Sequence, residues 1–272
     1  MATIVNGRAL ALHIQEELAT KVGTLSATPQ LSIIVVGEDP VTQSFVRAKR
    51  RFAETIGVTF NEYDFPASIS TEELVAHIHS ISDASDGIVV QLPLPKSCDT
   101  KTVLNAVPIA KDVDVLGDAA FEEFKTNKNY FLPPVAGAVK EILEKYSVPV
   151  TSSNIVVIGK GKLVGLPARI ILERHGAHVF VIDSKTTPEN FAQYINNADI
   201  IVSGAGIPNL IRPEMVKKDV VLIDAGTSSA GGSVEGDISQ DCESVARIFS
   251  RTPGGVGPMT VAILFRNLIQ NL

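Results

Sequence analysis

Short, continuous apolar runs alternate along the chain with segments of mixed apolar and polar character. The apolar runs are 31–37 (LSIIVVG), 58–65 (VTFNEYDF), 87–94 (GIVVQLPL), 155–159 (IVVIG), 178–183 (HVFVID), 199–206 (DIIVSGAG) and 220–226 (VVLIDAG). Unbroken Val/Ile runs, rather than strict alternation, predict strands covered on both faces, as in parallel sheets. Between them the spacing predicts helices over roughly 42–56, 71–84, 134–146, 164–175, 188–197 and 258–271. The first residues, MATIVNGRALALHIQEEL, read as a short strand followed by an amphipathic helix. Strand–helix alternation throughout predicts an α/β fold.

A boundary is expected in 131–154 (FLPPVAGAVKEILEKYSVPVTSSN), where a helix runs into a Pro- and Ser-containing loop and a second β-α-β series starts at Ile155. The expected division is one domain at 1–135 joined by the last helix at 257–272, and a second domain at 136–256.

A length of 272 residues accommodates two such domains. The net charge of −6 argues against a nucleic-acid partner, which calls for a basic face. Cys98 and Cys242 lie far apart and no metal-ligand spacing occurs, so neither a disulfide framework nor a metal site is expected. The N-terminus lacks the basic segment and apolar core of a signal peptide, and no apolar run reaches ~18 residues. The expectation is a cytoplasmic enzyme without a membrane partner.

The stretch 155–183 (IVVIGKGKLVGLPARIILERHGAHVFVID) reads as strand, glycine-rich turn, helix, strand. Gly159, Gly161 and Gly165 give G-x-G-x-x-x-G, one residue longer than the usual dinucleotide fingerprint. Glycine lets the backbone turn tightly and approach a pyrophosphate, and a helix N-terminus offers unpaired N–H groups. Asp183 ends the next strand, where an acidic residue meets the ribose hydroxyls of NAD and repels a 2′-phosphate. Lys160 is placed either to neutralise a phosphate or to be solvated. Gly204 and Gly226 follow at later strand ends, where ligands of doubly wound sheets bind. Each of these turns is equally an ordinary strand-to-helix connection when taken singly.

Four segments together resemble one family, the bifunctional methylenetetrahydrofolate dehydrogenase/cyclohydrolases of the FolD type. They are 87–95 (GIVVQLPLP), 111–117 (KDVDVLG), 157–167 (VIGKGKLVGLP) and 253–260 (PGGVGPMT), and the similarity runs in register from about residue 2 to 270. The resemblance implies an N-terminal folate-binding catalytic domain to which the C-terminal helix returns, a Rossmann-like NAD(P) domain, and a cleft where folate meets nicotinamide. It implies oxidation of 5,10-methylenetetrahydrofolate to the methenyl form and hydrolysis of that to 10-formyltetrahydrofolate, within one-carbon metabolism. It also implies a homodimer formed through the nucleotide domain.

Carried over by motif, Lys49 matches the family's lysine, Gln91 the glutamine that contacts it, and Asp114 the residue that holds the pterin. Thr42 stands for the family's serine and Phe45 for its tyrosine, and Pro253, Gly254 and Gly255 match the loop beside folate and nicotinamide. The family's Gly-Arg-Ser turn is 159–161 (GKG) here, its Cys-His-Ser is 182–184 (IDS), ending in Ser184, and its Pro-Cys-Thr-Pro is 133–136 (PPVA). NADP is the commoner family cofactor. Losing the Arg and His and gaining Asp183 shifts the expectation toward NAD.

Lysine beside a cationic substrate has its pKa lowered by like charge and desolvation, and can then carry protons. Phe45 keeps a stacking surface but lacks a hydroxyl, so the hydrolytic step is expected to suffer more than hydride transfer. Without the resemblance, Lys49 reads as a solvated helix charge, Gln91 as a satisfied core amide, and Asp112 with Asp114 as a turn. The competing readings are a dehydrogenase alone, a catalytically silent folate- or nucleotide-binding protein, and a two-domain dehydrogenase of the shikimate type. None of the five histidines has an arrangement that points to catalysis.

Overall fold

A strongly apolar strand needs cover on both faces, and the chain supplies it by following most strands with a helix. The computed structural model describes residues 2–126, 131–230 and 233–272. It divides into two compact units, one of Met1–Ala11 with Val135–Thr260 and one of Leu12–Pro134 with Val261–Leu272.

The second of these holds a parallel three-stranded sheet in the order β3-β2-β4, with β2 (Gln30–Val36) between β3 (Thr59–Phe65) and β4 (Gly87–Val90). From Leu31 to Val36 every residue of β2 is buried, as its unbroken apolar run requires. Ile34 and Val36 pack with Leu74 and Ile78 of α3 (Thr71–Ser82) and with Ile88 and Val90 of β4. Helix α2 (Pro40–Ile56) starts where Asp39 accepts a hydrogen bond from the Thr42 N–H and Pro40 fixes the first turn, and stops at Gly57 with φ 79°. Ser70 and Glu73 form a reciprocal cap on α3.

The other unit holds a six-stranded sheet in the order β1-β11-β8-β7-β5-β6, with every neighbouring pair parallel. Its strands are β1 (Thr3–Ile4), β5 (Asn154–Ile158), β6 (His178–Ile182), β7 (Ile200–Ser203), β8 (Val220–Asp224) and β11 (Ala246–Ser250). Strand order reverses at β5, with β6 on one side and β7 on the other, so a ligand-binding crevice is expected at the carboxyl ends of β5 and β7. A short antiparallel hairpin, β9 (Ser228–Ala230) and β10 (Ser233–Glu235), follows β8.

The apolar run 87–94 is a strand only to Val90. The ladder reaches one residue further, through Gln91 N–H to Ile34 C=O at 2.9 Å, and Pro93 and Pro95 then have no N–H to give. Several elements have no counterpart in the apolar pattern, among them α4 (Thr100–Asn105), α5 (Asp118–Lys125), β9, β10 and β11. Helix α6 (Pro134–Lys145) precedes β5, α7 (Gly165–Arg174) and α8 (Pro188–Asn197) flank β6, and α9 (Val256–Gln270) ends the chain. Phe265 of α9 stacks on Phe52 of α2 with ring centroids 4.9 Å apart.

Candidate active site

Helix α2 leaves the carboxyl end of β2 and presents Thr42, Phe45 and Lys49, spaced to share one face. Thr42 is buried, Lys49 half-buried, and Phe45 is 38 % exposed, a large apolar ring open to a partner. Gln91 follows the adjacent strand β4. The Lys49 Nζ donates to Gln91 Oε1 at 2.6 Å, and Gln91 Nε2 donates to the Leu92 carbonyl at 3.0 Å. An ammonium group only donates, so the amide oxygen must face it, and the second bond locks that orientation. Gln91 is therefore a satisfied amide, and the partner that satisfies it is the lysine.

Burial pushes the Lys49 pKa down, and the Asp114 charge works against that shift. Burial likewise pushes Asp114 up, and the Lys49 charge opposes it. The two groups are thus an opposed pair, each made easier to neutralise by its surroundings and each restrained by the other.

Asp114 is presented by a turn held from two sides. A bridge between Ile88 and Asp112 sets the turn parallel to β4, which carries Asp114 toward the Gln91 end of that strand. The buried Asp112 carboxylate accepts from the Leu116 N–H at 3.0 Å and the Gly117 N–H at 2.7 Å. Burial raises its pKa to about 6, against the pull of those two donors. Val115 takes φ 57°, a left-handed backbone that a β-branched residue adopts only when its surroundings impose it. On the other side, Asn267 of α9 donates to the carbonyls of Val113 and Leu132, both at 2.8 Å. Asn267 is 1 % exposed, and its only signal in the sequence is one amide within an apolar helix.

Tyr63 does not supply the hydroxyl that Phe45 lacks. It pairs in register with Ile34 and so shares the face of Ile34 and Val90, the face opposite to Gln91. Among the described residues no group of His, Cys, Asp and Glu has a metal-binding arrangement.

In the other unit the glycines of the turn after β5 differ in what they do. Gly159 has φ 99°, and a Cβ on it would lie 2.7 Å from the Gly204 carbonyl oxygen. A Cβ on Gly165 would lie 1.9 Å from the Gly159 oxygen, so α7 can start against the turn only without a side chain there. A Cβ on Gly161 would meet nothing within 4 Å. Packing explains Gly159 and Gly165; the space beside Gly161 is open, as a cradle for a pyrophosphate must be. Gly204 packs on the turn as well, since a Cβ there would meet Val164 Cγ1 at 2.4 Å.

Lys160 pairs with the acid at the end of β6. Its Nζ donates to Asp183 Oδ2 at 2.6 Å, and this bond holds the Asp183 pKa below the usual carboxylate range. The Lys185 N–H donates to Asp183 Oδ1 at 2.8 Å, and Ser184 between them is exposed. Gly226 lies just past β8. At the end of β11, Gly254 has φ 106° with open space at its Cβ position, and its carbonyl accepts from the Gly7 N–H at 3.1 Å. Gly255 lies against Ser250 Oγ, 2.2 Å from where a Cβ would be, and Pro253 follows a cis peptide bond.

Two domain profiles of one family match the chain. The tetrahydrofolate dehydrogenase/cyclohydrolase catalytic domain matches residues 5–114, and the NAD(P)-binding domain of the same family matches residues 133–272. Among solved structures, the chain is similar to the bifunctional FolD enzyme of Campylobacter jejuni, with 32% identity over 100% of this chain and 98% of that one and a TM-score of 0.95. It is similar to a 5,10-methylenetetrahydrofolate dehydrogenase from the silkworm Bombyx mori, with 32% identity, 100% and 98% coverage and a TM-score of 0.93. It is similar to the FolD of Trypanosoma brucei, solved with NADP and an inhibitor, with 32% identity, 99% and 97% coverage and a TM-score of 0.95. No helix among the described residues is long and apolar enough to cross a membrane. Both domain profiles and full-length similarity set the shikimate-type alternative aside, and the chain belongs to the tetrahydrofolate dehydrogenase/cyclohydrolase family.

Proposed function

We propose that this protein oxidises 5,10-methylenetetrahydrofolate to 5,10-methenyltetrahydrofolate with NAD(P), and hydrolyses the product to 10-formyltetrahydrofolate at a rate limited by Phe45. The observation that carries the reading is the Lys49–Gln91 hydrogen bond with Asp114 acting on the same ammonium, in a domain of this family. The silkworm relative is a methylenetetrahydrofolate dehydrogenase and the Campylobacter relative a bifunctional dehydrogenase/cyclohydrolase.

Hydride transfer asks little of side chains: the folate nitrogens expel the hydride, and the protein orients two rings and keeps water chemistry out. The nicotinamide, when bound, supplies the hydride acceptor. Asp114 holds the pterin through its amidine-like edge with charge-assisted hydrogen bonds. Phe45, exposed on the face that also carries Lys49, provides a surface on which a flat ring stacks. The turn that Gly159 and Gly165 shape would receive the pyrophosphate beside Gly161, and Gly204, Gly226 and Pro253–Gly255 would line the nicotinamide half.

Hydrolysis asks for more. Water adds to the carbon of the cationic methenyl bridge; one of its protons is released to solvent as the formyl carbonyl forms, and the other passes to N5 as the bond from N5 to that carbon breaks. Lys49, with its pKa lowered by burial, moves that proton, and Gln91 fixes where its Nζ lies. A hydroxyl beside the lysine would orient the water; Phe45 offers none. Methenyltetrahydrofolate therefore accumulates during turnover.

NAD is the preferred cofactor in this reading. Asp183 is ionised at neutral pH, and Lys160 is engaged with it rather than placed to meet a 2′-phosphate. The protein acts as a homodimer in the cytoplasm, an assembly and compartment expected from the family. Steady-state assays with 5,10-methylenetetrahydrofolate and each cofactor test the reading. Reduction of NAD faster than NADP, with methenyl product building up, is expected; no reduction of either cofactor would leave a silent binder.

A further inference from the structure

Two buried carboxylates with no role so far tie the carboxyl ends of β7 and β8 to the segment that follows the β9–β10 hairpin. Asp224 ends β8 and is 1 % exposed; Asp237 follows the β9–β10 hairpin and is 0 % exposed. Asp237 Oδ2 accepts from the Ser203 hydroxyl and from the Ala205 N–H, both at 2.7 Å, and its Oδ1 accepts from the Ile207 N–H at 2.8 Å. All three donors lie at the end of β7 or in the loop just beyond it. Asp224 Oδ1 accepts from the N–H groups of Gly226 and Asp237, and its Oδ2 from the Ile238 N–H, each at 3.1 Å. The Thr252 hydroxyl donates to the Asp224 backbone carbonyl at 3.0 Å, which brings in the residue before Pro253.

Two glycines leave room for this arrangement. A Cβ on Gly226 would lie 2.1 Å from the Asp237 carboxyl carbon, and a Cβ on Gly236 would lie 1.9 Å from Asp224 Oδ2. The loop that Asp237 gathers also packs on the nucleotide turn: Gly204 meets Val164 on one side, and Gly159 meets the Gly204 carbonyl on the other. Burial pushes the Asp224 pKa up to about 7, and the Asp237 charge adds to the push, so Asp224 is costly to keep ionised here. A single hydroxyl or amide would cap one loop. Three donors converging from one loop require a group that only accepts.

We propose that Asp237 is a positioning residue of the NAD(P) site, setting the loop of Gly204 to Ile207 against the glycine turn, with the Asp224 carboxylate fixing the backbone of Asp237 and Ile238 at the end of β8. This rests on the reading that the carboxyl-end glycines receive the cofactor. Asp237→Asn keeps the shape but turns one acceptor into a donor that faces an N–H or a hydroxyl. Ser203→Ala removes one donor of the three and leaves the rest.

The experiment measures NAD binding by calorimetry and the KM values for NAD and for methylenetetrahydrofolate, with melting curves to count folded protein. For Asp237→Asn, the cofactor Kd and KM are expected to rise about tenfold, the equivalent of one buried hydrogen bond, with the folate KM within about twofold of wild type. Ser203→Ala is expected to raise both cofactor constants about threefold, with a melting transition that is lowered but still cooperative. A purely structural role would lower kcat in step with the folded fraction and leave both KM values alone, and that result overturns the proposal. If Asp237→Asn does not fold, an unchanged cofactor Kd in Ser203→Ala overturns it instead. Gly161→Val separates the two layers, because its side chain enters open space. Loss of NAD binding there with unchanged Asp237→Asn and Ser203→Ala sinks the positioning role alone; normal NAD binding in Gly161→Val sinks the cofactor reading and the proposal with it.

Discussion

The cluster of Lys49, Gln91 and Asp114 and the turn of Gly159, Gly161 and Gly165 do comparable work with different materials. In the first, three side chains from three elements carry charge and hydrogen bonds, and the backbone only aims them. In the second, the side chains are absent and the backbone is what a bound cofactor would meet. The first is therefore sensitive to single atoms, such as the hydroxyl missing from Phe45. The second is sensitive to volume: one methyl group on Gly165 collides with backbone, while one on Gly161 does not.

The largest expected effect breaks the side-chain cluster. Lys49→Met should lower the hydrolytic step by about 10²–10⁴-fold, the range for a positioned proton carrier. It should lower methenyl formation much less, as separate product measurements would read out. The remaining wild-type hydrolysis should rise with pH through a midpoint below 10.5. Burial lowers the Lys49 pKa from that value, so the free amine forms at lower pH than on an ordinary lysine. A flat profile in wild type would remove Lys49 from the proton path.

Next come the glycines. Gly165→Ala should destabilise the protein by about 2 kcal/mol or more, because backbone has to move away from the new carbon. Gly161→Ala should stay within about 0.5 kcal/mol. Equal melting temperatures for the two variants would undo the distinction between a packing glycine and a cradle glycine. Asp183→Ser should shift the ratio of kcat/KM for NAD over NADP by about tenfold toward NADP, as expected for removing one charge beside a phosphate. An unmoved ratio would mean that the Lys160–Asp183 pair has no part in cofactor choice. The smallest effect belongs to a surface pair outside both regions: Arg169→Ala breaks an exposed bond to Glu173 at 2.7 Å and should cost about 0.3–0.5 kcal/mol in a denaturant melt.

The sequence is legible where the physics is local. Asp39 with Pro40, Gly57, and Ser70 with Glu73 bound α2 and α3 through contacts within a few residues. The glycine turn reads the same way, from a strand, three glycines and a helix. Helices of six and eight residues, α4 and α5, present too few turns for a period to show. Lys49 and Gln91 are distinguishable from a solvated charge and a core amide only through the resemblance or the fold, because 42 positions separate the bonded pair. Asn267 and Asp237 escape for the same reason. Their partners are 154 and about 30 positions away, and nothing near them in the chain announces the contact.

The most direct test of the account is one time course on wild type and Phe45→Tyr. Each is given 5,10-methylenetetrahydrofolate with NAD, and reduced nicotinamide, methenyl and 10-formyl products are followed separately. The account predicts that wild type accumulates methenyl product while nicotinamide is reduced, and that Phe45→Tyr drains it about tenfold faster at a similar reduction rate. Formyl product keeping pace with reduced nicotinamide in wild type, or no change on restoring the hydroxyl, would contradict it.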